Sequence, residues 1–286
     1  PLKPTYISTV DSGNLAGHLL TLRQGLLALP DDRILGSRLL EGISDTIHFL
    51  VDVEGKTASD QLVQLQKLLK SATDSPPTTL AAAQLCLEQL ATSAAEVVAR
   101  VDVLNADPES QEKWWARAFA GQCRAALDEL TFLAAWTSST ASPDSDEIPT
   151  LRQLANLDGK MDAQRPDIAE ASRRAGERIS AINGLARQIE ALAHMEYDFL
   201  FDDTRHLLAI GYNVAERRRE QSYYELLASE ARFCSFIAIA QGQLPQESWF
   251  ALGRLLTSAG GENILLSWSG SMFEYLMPLL VMPTYE

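Results

Sequence analysis

Glu230 and Glu274 are carboxylates of this 286-residue chain that stand inside apolar neighbourhoods, Glu230 within Ala-Ser-Glu-Ala-Arg and Glu274 within Met-Phe-Glu-Tyr. A carboxylate flanked by core-facing residues must be paired or carry a raised pKa. Arg232 does not stand at the three- or four-residue spacing that would pair it with Glu230 along a helix. Two readings follow for each carboxylate: a tie to a backbone group or an arginine elsewhere, or a place in the carboxyl pair that glycoside chemistry needs. In such a pair one group protonates the leaving oxygen and the other acts as nucleophile or base. Aromatic residues crowd the same region, with eleven of the chain's 21 in the last 75 positions. Exposed Trp and Tyr faces cover the C–H faces of a pyranose ring while carboxylates and amides take its hydroxyls, so this crowding marks either a sugar surface or a packed core. Phe233, Phe236, Phe250 and Phe273 lack a polar handle and lie at helical spacing, which predicts core. Tyr224, Trp249, Trp268 and Tyr275 sit beside Ser, Glu and Gly and are candidates for the sugar surface. At the other end, Asp11-Ser12-Gly13-Asn14 reads as a turn that caps the first helix or contributes Asp11 and Asn14 to the sugar cleft.

Other chemistries find no support. The four histidines, His18, His48, His194 and His206, have no metal-ligand spacing, and HExxH, P-loop, GxSxG and GxGxxG patterns are absent, so no cofactor is expected. With 24 basic against 38 acidic residues, the formal charge of −14 repels nucleic acid and anionic membrane surfaces. Cys86, Cys123 and Cys234 each fall in an apolar helical pattern and read as buried free thiols. The longest apolar run, Leu276–Met282, is far shorter than the roughly 20 residues that span a bilayer. That run ends just before Glu286, so the sequence reads as a piece of a longer protein.

The elements that must position these residues are mostly helical. Leu80, Ala83, Leu87, Leu90, Ala94, Val97, Val101 and Leu104 alternate three and four apart, one stripe of a helix capped by Thr78 or Thr79. Asn105 and Asp107-Pro108 end it and open a second helix, with Pro108 in its first turn, carrying Trp115, Phe119, Cys123, Ala126, Leu130 and Leu133. The short connection predicts antiparallel neighbours. A third helix runs from about Asp167 to His194, with Arg173, Arg174, Glu177, Arg178 and Glu190 on its solvated face. Weaker helical patterns cover 14–29, 34–53 and 59–70, and Thr137–Glu147 reads as a loop. Tyr197–Asp202 and Leu207–Tyr212 flank a polar turn and predict the one β-hairpin. Ser222-Tyr-Tyr-Glu225 predicts a capping-box start to a helix that ends near Gly242.

Tyr6-Ile-Ser-Thr-Val-Asp-Ser-Gly-Asn-Leu-Ala-Gly-His18, Phe201-Asp202 through Ile210-Gly-Tyr-Asn213, and Ser222–Arg232 resemble the glucoamylase-like middle region of the cyclic β-1,2-glucan synthases. So do Pro245-Gln-Glu-Ser-Trp249 and Leu265–Pro278. The resemblance implies a mainly α chain: a helical subdomain leading into part of an (α/α)6 toroid, with one short hairpin. Its expected parts are a first toroid-side segment at 1–30, a helical bundle at 31–195, and the start of the toroid at 196–286. It implies a β-1,2-glucan chain and other modules of a large synthase as partners, and a contribution to retaining, ring-closing transglycosylation. The implied location is the cytoplasmic side of the bacterial inner membrane, in a segment without direct membrane contact. Carried residue by residue, it places Asp11, Asn14, Asn213, Tyr224, Glu230, Trp268 and Tyr275 at substrate, with Glu274 the candidate catalytic carboxylate. Because the toroid needs twelve helices, the catalytic set is expected to be incomplete here. The alternative is a scaffold role for the helices between Ile34 and Leu192, which carry no candidate site residue.

Overall fold

The computed structural model describes residues 3, 5–54, 59–134, 147–157, 166–267 and 270–281. The chain forms two compact units, one from 28–183 and the other from 1–27 with 184–286.

The first is built on four helices: α2 (Ser37–Glu54), α3 (Asp60–Asp74), α4 (Leu80–Leu104) and α5 (Gln111–Leu133). They pack α2 on α3, α3 on α4, α4 on α5 and α5 back on α2, closing a bundle. Its core is the apolar stripes, with Leu40, Ile43, Ile47 and Leu50 of α2, Leu87, Leu90 and Val97 of α4 and Phe119 of α5 all buried. The starts of α3, α4 and α5 each have a side-chain cap that satisfies an otherwise unpaired backbone N–H, with Ser59 accepting from Leu62, Thr79 from Ala82 and Ser110 from Lys113. The stripe predicted from Leu80 to Leu104 is thus a helix over those same residues, capped by Thr79. Pro108, expected in the first turn of the next helix, lies instead in the preceding turn. Asn105 and Asp107 side chains accept there from the backbone N–H groups of Asp107 and Glu109, and the helix begins after Ser110. A short α6 (Leu151–Ala155) starts with a capping box at Thr150, and α7 (Pro166–Ala193) begins in this unit and ends in the other. Of the predicted loop 137–147, all but Glu147 lies outside the described residues.

The second unit mixes short strands with helices. Strand β1 (Tyr6–Ser8) runs directly into α1 (Thr9–Ala28). The predicted hairpin is present as β2 (Phe201–Asp202) against β3 (Leu207–Leu208). A separate three-stranded sheet has β4 (Gly211–Asn213) between β1 and β5 (Arg218–Arg219), both pairings antiparallel. A separate hairpin pairs β6 (Leu255–Ala259) with β7 (Glu262–Leu266). Its turn, Gly260-Gly261, has both φ angles positive at 63° and 88°, the conformation that favours glycine at both positions. Helices α8 (Ser229–Ala240), α9 (Glu247–Ala251) and α10 (Met272–Val281) complete the unit. A small core of Tyr197, Leu200, Leu208, Cys234, Ala238 and Leu244 holds α8 on the hairpin. The predicted capping-box start at Ser222 does not occur. Ile210 N–H donates to the Ser222 carbonyl and Leu226 N–H to that of Gly253, so 222–226 is tied to neighbouring chain and the helix starts only at Ser229.

The fold is therefore mainly α, as expected. Within the described residues this unit holds α1, α8, α9, α10 and the end of α7, which do not make a closed twelve-helix ring. No helix among the described residues is long and apolar enough to cross a membrane.

Candidate functional site

The site is set by the close approach of α1 and α8. Gly13 and Gly17, four apart and so on one face of α1, leave room where α8 crosses. A Cβ at Gly13 would lie 2.6 Å from the Cys234 Cα, and one at Gly17 would overlap the Phe233 ring. The start of α1 is fixed to the sheet by buried Thr9, whose hydroxyl donates to the Ala209 carbonyl at 2.6 Å and whose N–H donates to Ile210 at 3.2 Å. With both helices so fixed, Asn14 reaches across and donates its Nδ2 to Glu230 Oε1 at 3.0 Å. Glu230 is half-buried in the first turn of α8, where the helix dipole favours a negative charge. Asp11 is exposed in the first turn of α1, its N–H held by Ser8 Oγ.

Tyr224 joins this group. Burial first, and then the negative fields of Glu230 and Asp11, push its phenol above the ordinary tyrosine range. Tyr6 is raised likewise by burial, by Glu220 and by Tyr224. Both phenols are therefore protonated at neutral pH and able to donate. Asp11, Asn14, Tyr224 and Glu230 thus gather two carboxylates, a carboxamide and a phenol O–H, a donor and acceptor set suited to a polyhydroxylated ligand. Among the described residues no group of three or more His, Cys, Asp or Glu could hold a metal ion.

The remaining predicted residues fall elsewhere in this unit. Asn213 stands opposite Tyr6 in the sheet, and its Oδ1 accepts from the Glu216 N–H at 3.1 Å, closing the β4–β5 turn. Glu274 is half-buried in the first turn of α10, which packs on α8; its Oε2 is buried with no hydrogen-bond partner among the described residues. Tyr275 ties α10 to β7: its hydroxyl donates to the Leu265 carbonyl and accepts from the Ser267 N–H, at 3.0 and 2.9 Å. Trp268 lies outside the described residues. The core expectation for four phenylalanines is overturned: Phe233, Phe236, Phe250 and Phe273 are 38, 58, 68 and 60% exposed. The apolar stripe of α8 is divided between the small hairpin core on one side and open surface on the other. Phe236 instead lines a groove of about 220 Å³ with Ile239, Gln246 and Trp249.

Two arrangements escaped sequence reasoning. One is the Gly13/Gly17 crossing, legible in principle as small residues four apart. The other is a polar tie at Asp202, which accepts from Tyr223 Oη at 2.5 Å and Arg219 Nη2 at 3.3 Å, with Arg205 over the Tyr223 ring. The Tyr223 hydrogen bond, above all, holds the Asp202 carboxyl below the usual carboxylate range.

By architecture this is a mainly helical protein in which segments about two hundred residues apart meet around one polar cluster. No family model matches the chain. Over 298 aligned residues, 99% of its length, it is 32% identical to the cyclic beta-(1,2)-glucan synthase NdvB of Rhizobium meliloti (strain 1021). It spans 9% of that protein's length. The likeness read from the sequence motifs thus extends over nearly the whole chain, which is similar, almost end to end, to one stretch of a cyclic β-1,2-glucan synthase.

Proposed function

We propose that this chain is part of the carbohydrate-active, glucoamylase-like region of a cyclic β-1,2-glucan synthase, binding the glucan and contributing to its closure into a ring. Residues 1–30 and 196–286 are then the toroid side, with 31–195 the helical bundle. The observation that carries the reading is the Asn14–Glu230 contact, flanked by Asp11 and Tyr224. It joins two of the motifs that resemble the synthases, 216 residues apart. In this reading the cluster holds sugar hydroxyls, with Asn213, Trp268 and Tyr275 as further substrate residues, and Glu274 is the candidate catalytic carboxylate. Retaining ring closure breaks one glycosidic bond and forms another on the same chain. One carboxyl protonates the departing oxygen, and a second carries the glycosyl group until the chain's own hydroxyl displaces it. That catalytic set extends beyond this chain, into other modules of a membrane-embedded synthase working on its cytoplasmic side.

The test is calorimetric titration with linear β-1,2-gluco-oligosaccharides, with β-1,3- and β-1,4-linked chains as controls. Saturable binding selective for the β-1,2 series is expected, weakened by Glu230→Gln. In a full-length synthase, Glu274→Gln should reduce ring closure and leave the helical fold intact; unchanged cyclisation removes Glu274 from the site. A second reading, a helical scaffold, is favoured by one observation: the bundle of α2–α5 contains none of the candidate residues. Absence of β-1,2 selectivity at millimolar sugar would support it.

A further inference from the structure

The bundle exposes a group of aromatic rings that its core does not use. Phe49 of α2 stacks on Trp115 of α5 with centroids 4.7 Å apart and planes 10° apart, and Trp114 meets Trp115 edge-on at 4.5 Å and 90°. Phe49 is 53% exposed and Trp114 61%, while Trp115 is half-buried between them. The stripe that buries α5 runs through Ala116, Phe119 and Cys123, so these rings are surplus to core packing. The result is a corner of two perpendicular aromatic planes, pre-set by ring-on-ring contact and open to solvent.

Its surroundings are polar. Asp52 lies one turn on from Phe49, and Gln111 and Arg117 flank Trp114 at three-residue spacing, all exposed. Arg117 is held by Asp102 at 2.8 Å, with buried Lys113 3.7 Å from the same carboxylate oxygen. Stacked, partly exposed rings rimmed by hydrogen-bonding groups, Arg117 among them held in place, match a ligand with apolar faces and hydroxyl edges. The size of the patch argues the same way. Three partly exposed aromatic side chains offer on the order of 200–300 Å², against about 800 Å² per partner in a standard protein interface. It is enough for two or three sugar rings. The chain's net charge of −14 disfavours an anionic ligand.

We infer that Phe49, Trp114 and Trp115 form a second glucan-contacting surface, which holds a segment of a neutral β-1,2-glucan chain by stacking. The linkage assigned to the ligand rests on the function proposed above; the stacking surface rests on the rings. Such a platform would keep a long chain near the synthase while its ends are processed elsewhere.

The test is NMR of the full chain's five tryptophan indole N–H signals, with Trp114 and Trp115 assigned from Trp→Phe variants. On addition of linear β-1,2-gluco-oligosaccharides, the Trp114 and Trp115 signals should move saturably. Trp114→Ala, at a mostly exposed position, should keep the fold and weaken that response roughly fivefold or more. Glu230→Gln should leave it unchanged while removing shifts near Asn14 and Tyr224. Movement at Trp114 and Trp115 without shifts at Asn14 would sustain this inference and count against the site proposed above; the reverse pattern would overturn the platform alone. Unmoved Trp114 and Trp115 signals in any titration overturn it. So does movement on concentrating the protein without sugar, which would mark the patch as a protein contact.

Discussion

Replacing Gly13 by alanine tests whether the α1–α8 crossing builds the site. In an exposed helix interior the change should stabilise, since glycine is about 0.8–1.0 kcal/mol worse than alanine there. At Gly13 the new Cβ would stand 2.6 Å from the Cys234 Cα, roughly 1 Å short of the ~3.5–4.0 Å at which carbon atoms pack. The obstacle is backbone of a fully buried residue, so no side-chain rotation relieves it. Either α8 retreats by about 1 Å or the core beneath it distorts, an overpacking that costs ~1–3 kcal/mol. Retreat also stretches the 3.0 Å Asn14–Glu230 hydrogen bond past its useful range, adding about 1 kcal/mol. Against a propensity gain of ~1 kcal/mol, the net expectation is a loss of about 1–3 kcal/mol.

Gly25 is the internal control. It lies on the same helix and is exposed, and a Cβ there meets nothing within 4 Å. Gly25→Ala should raise stability by ~1 kcal/mol, a rise in Tm of a few degrees. Gly17→Ala should fall between them, because the atoms in its way belong to the Phe233 ring, which is partly exposed and can turn aside. Thermal and urea unfolding of the three variants, followed by oligosaccharide titration, gives the ranking. If Gly13→Ala stabilises as much as Gly25→Ala, the helices do not approach as described and the Asn14–Glu230 geometry loses its support.

Three further outcomes follow from single contacts. Asn14→Asp places a second carboxylate against Glu230, so it should destabilise by about 1–2 kcal/mol at pH 7 and recover on acidification, as urea unfolding at pH 7 and pH 4.5 will show. Asp202 has a depressed carboxyl pKa in the folded chain, so its contribution to stability is present above the ordinary carboxylate value and lost as the pH falls through the lower folded one. Tyr223→Phe removes the largest cause of that depression, so ¹³C carboxyl titration should show Asp202 moving up, and the acid-side loss of stability should be smaller and complete at a higher pH. Burial pushes the Cys123 thiol to about 12 and the Cys234 thiol to about 11, so both should resist iodoacetamide at pH 8 until the chain unfolds, with half-buried Cys86 modified first. Rapid native-state labelling of Cys123 would contradict the packing of α5.

The bundle was legible because its signals are local and redundant. From Leu80 to Leu104 a three–four alternation, a threonine cap and a polar stop agree, and the helix occupies those residues. The same locality misled at Ser222–Glu225. The pattern for a capping box is present, yet Glu225 is buried at 8% exposure with its carboxylate accepting from Leu227, and Tyr223 and Glu225 form bridges to Ala209 and Gly253. Other segments of the chain competed for the backbone groups a helix would have used, and a local sequence window does not contain that competitor. The β6–β7 hairpin shows the converse case. Gly260-Gly261 is a turn signal, but the flanking strands carry exposed Leu255, Leu256 and Ile264 rather than the alternation of a half-buried strand.

The site itself was half legible for the same reason. Asp11, Asn14, Tyr224 and Glu230 have the residue types of a hydroxyl-binding cluster, but nothing in their spacing says that they meet. What brings them together is the absence of side chains at Gly13 and Gly17, which lets α8 lie close enough for a carboxamide to reach a carboxylate 216 residues away. Exposed Phe236, Phe250 and Phe273 make a related point. Helical spacing shows that apolar residues share a face; it does not say whether the partner of that face lies in the same compact unit. In a chain similar to 9% of a much larger synthase, that distinction decides which aromatic residues pack the core and which remain available to a ligand or a neighbouring module.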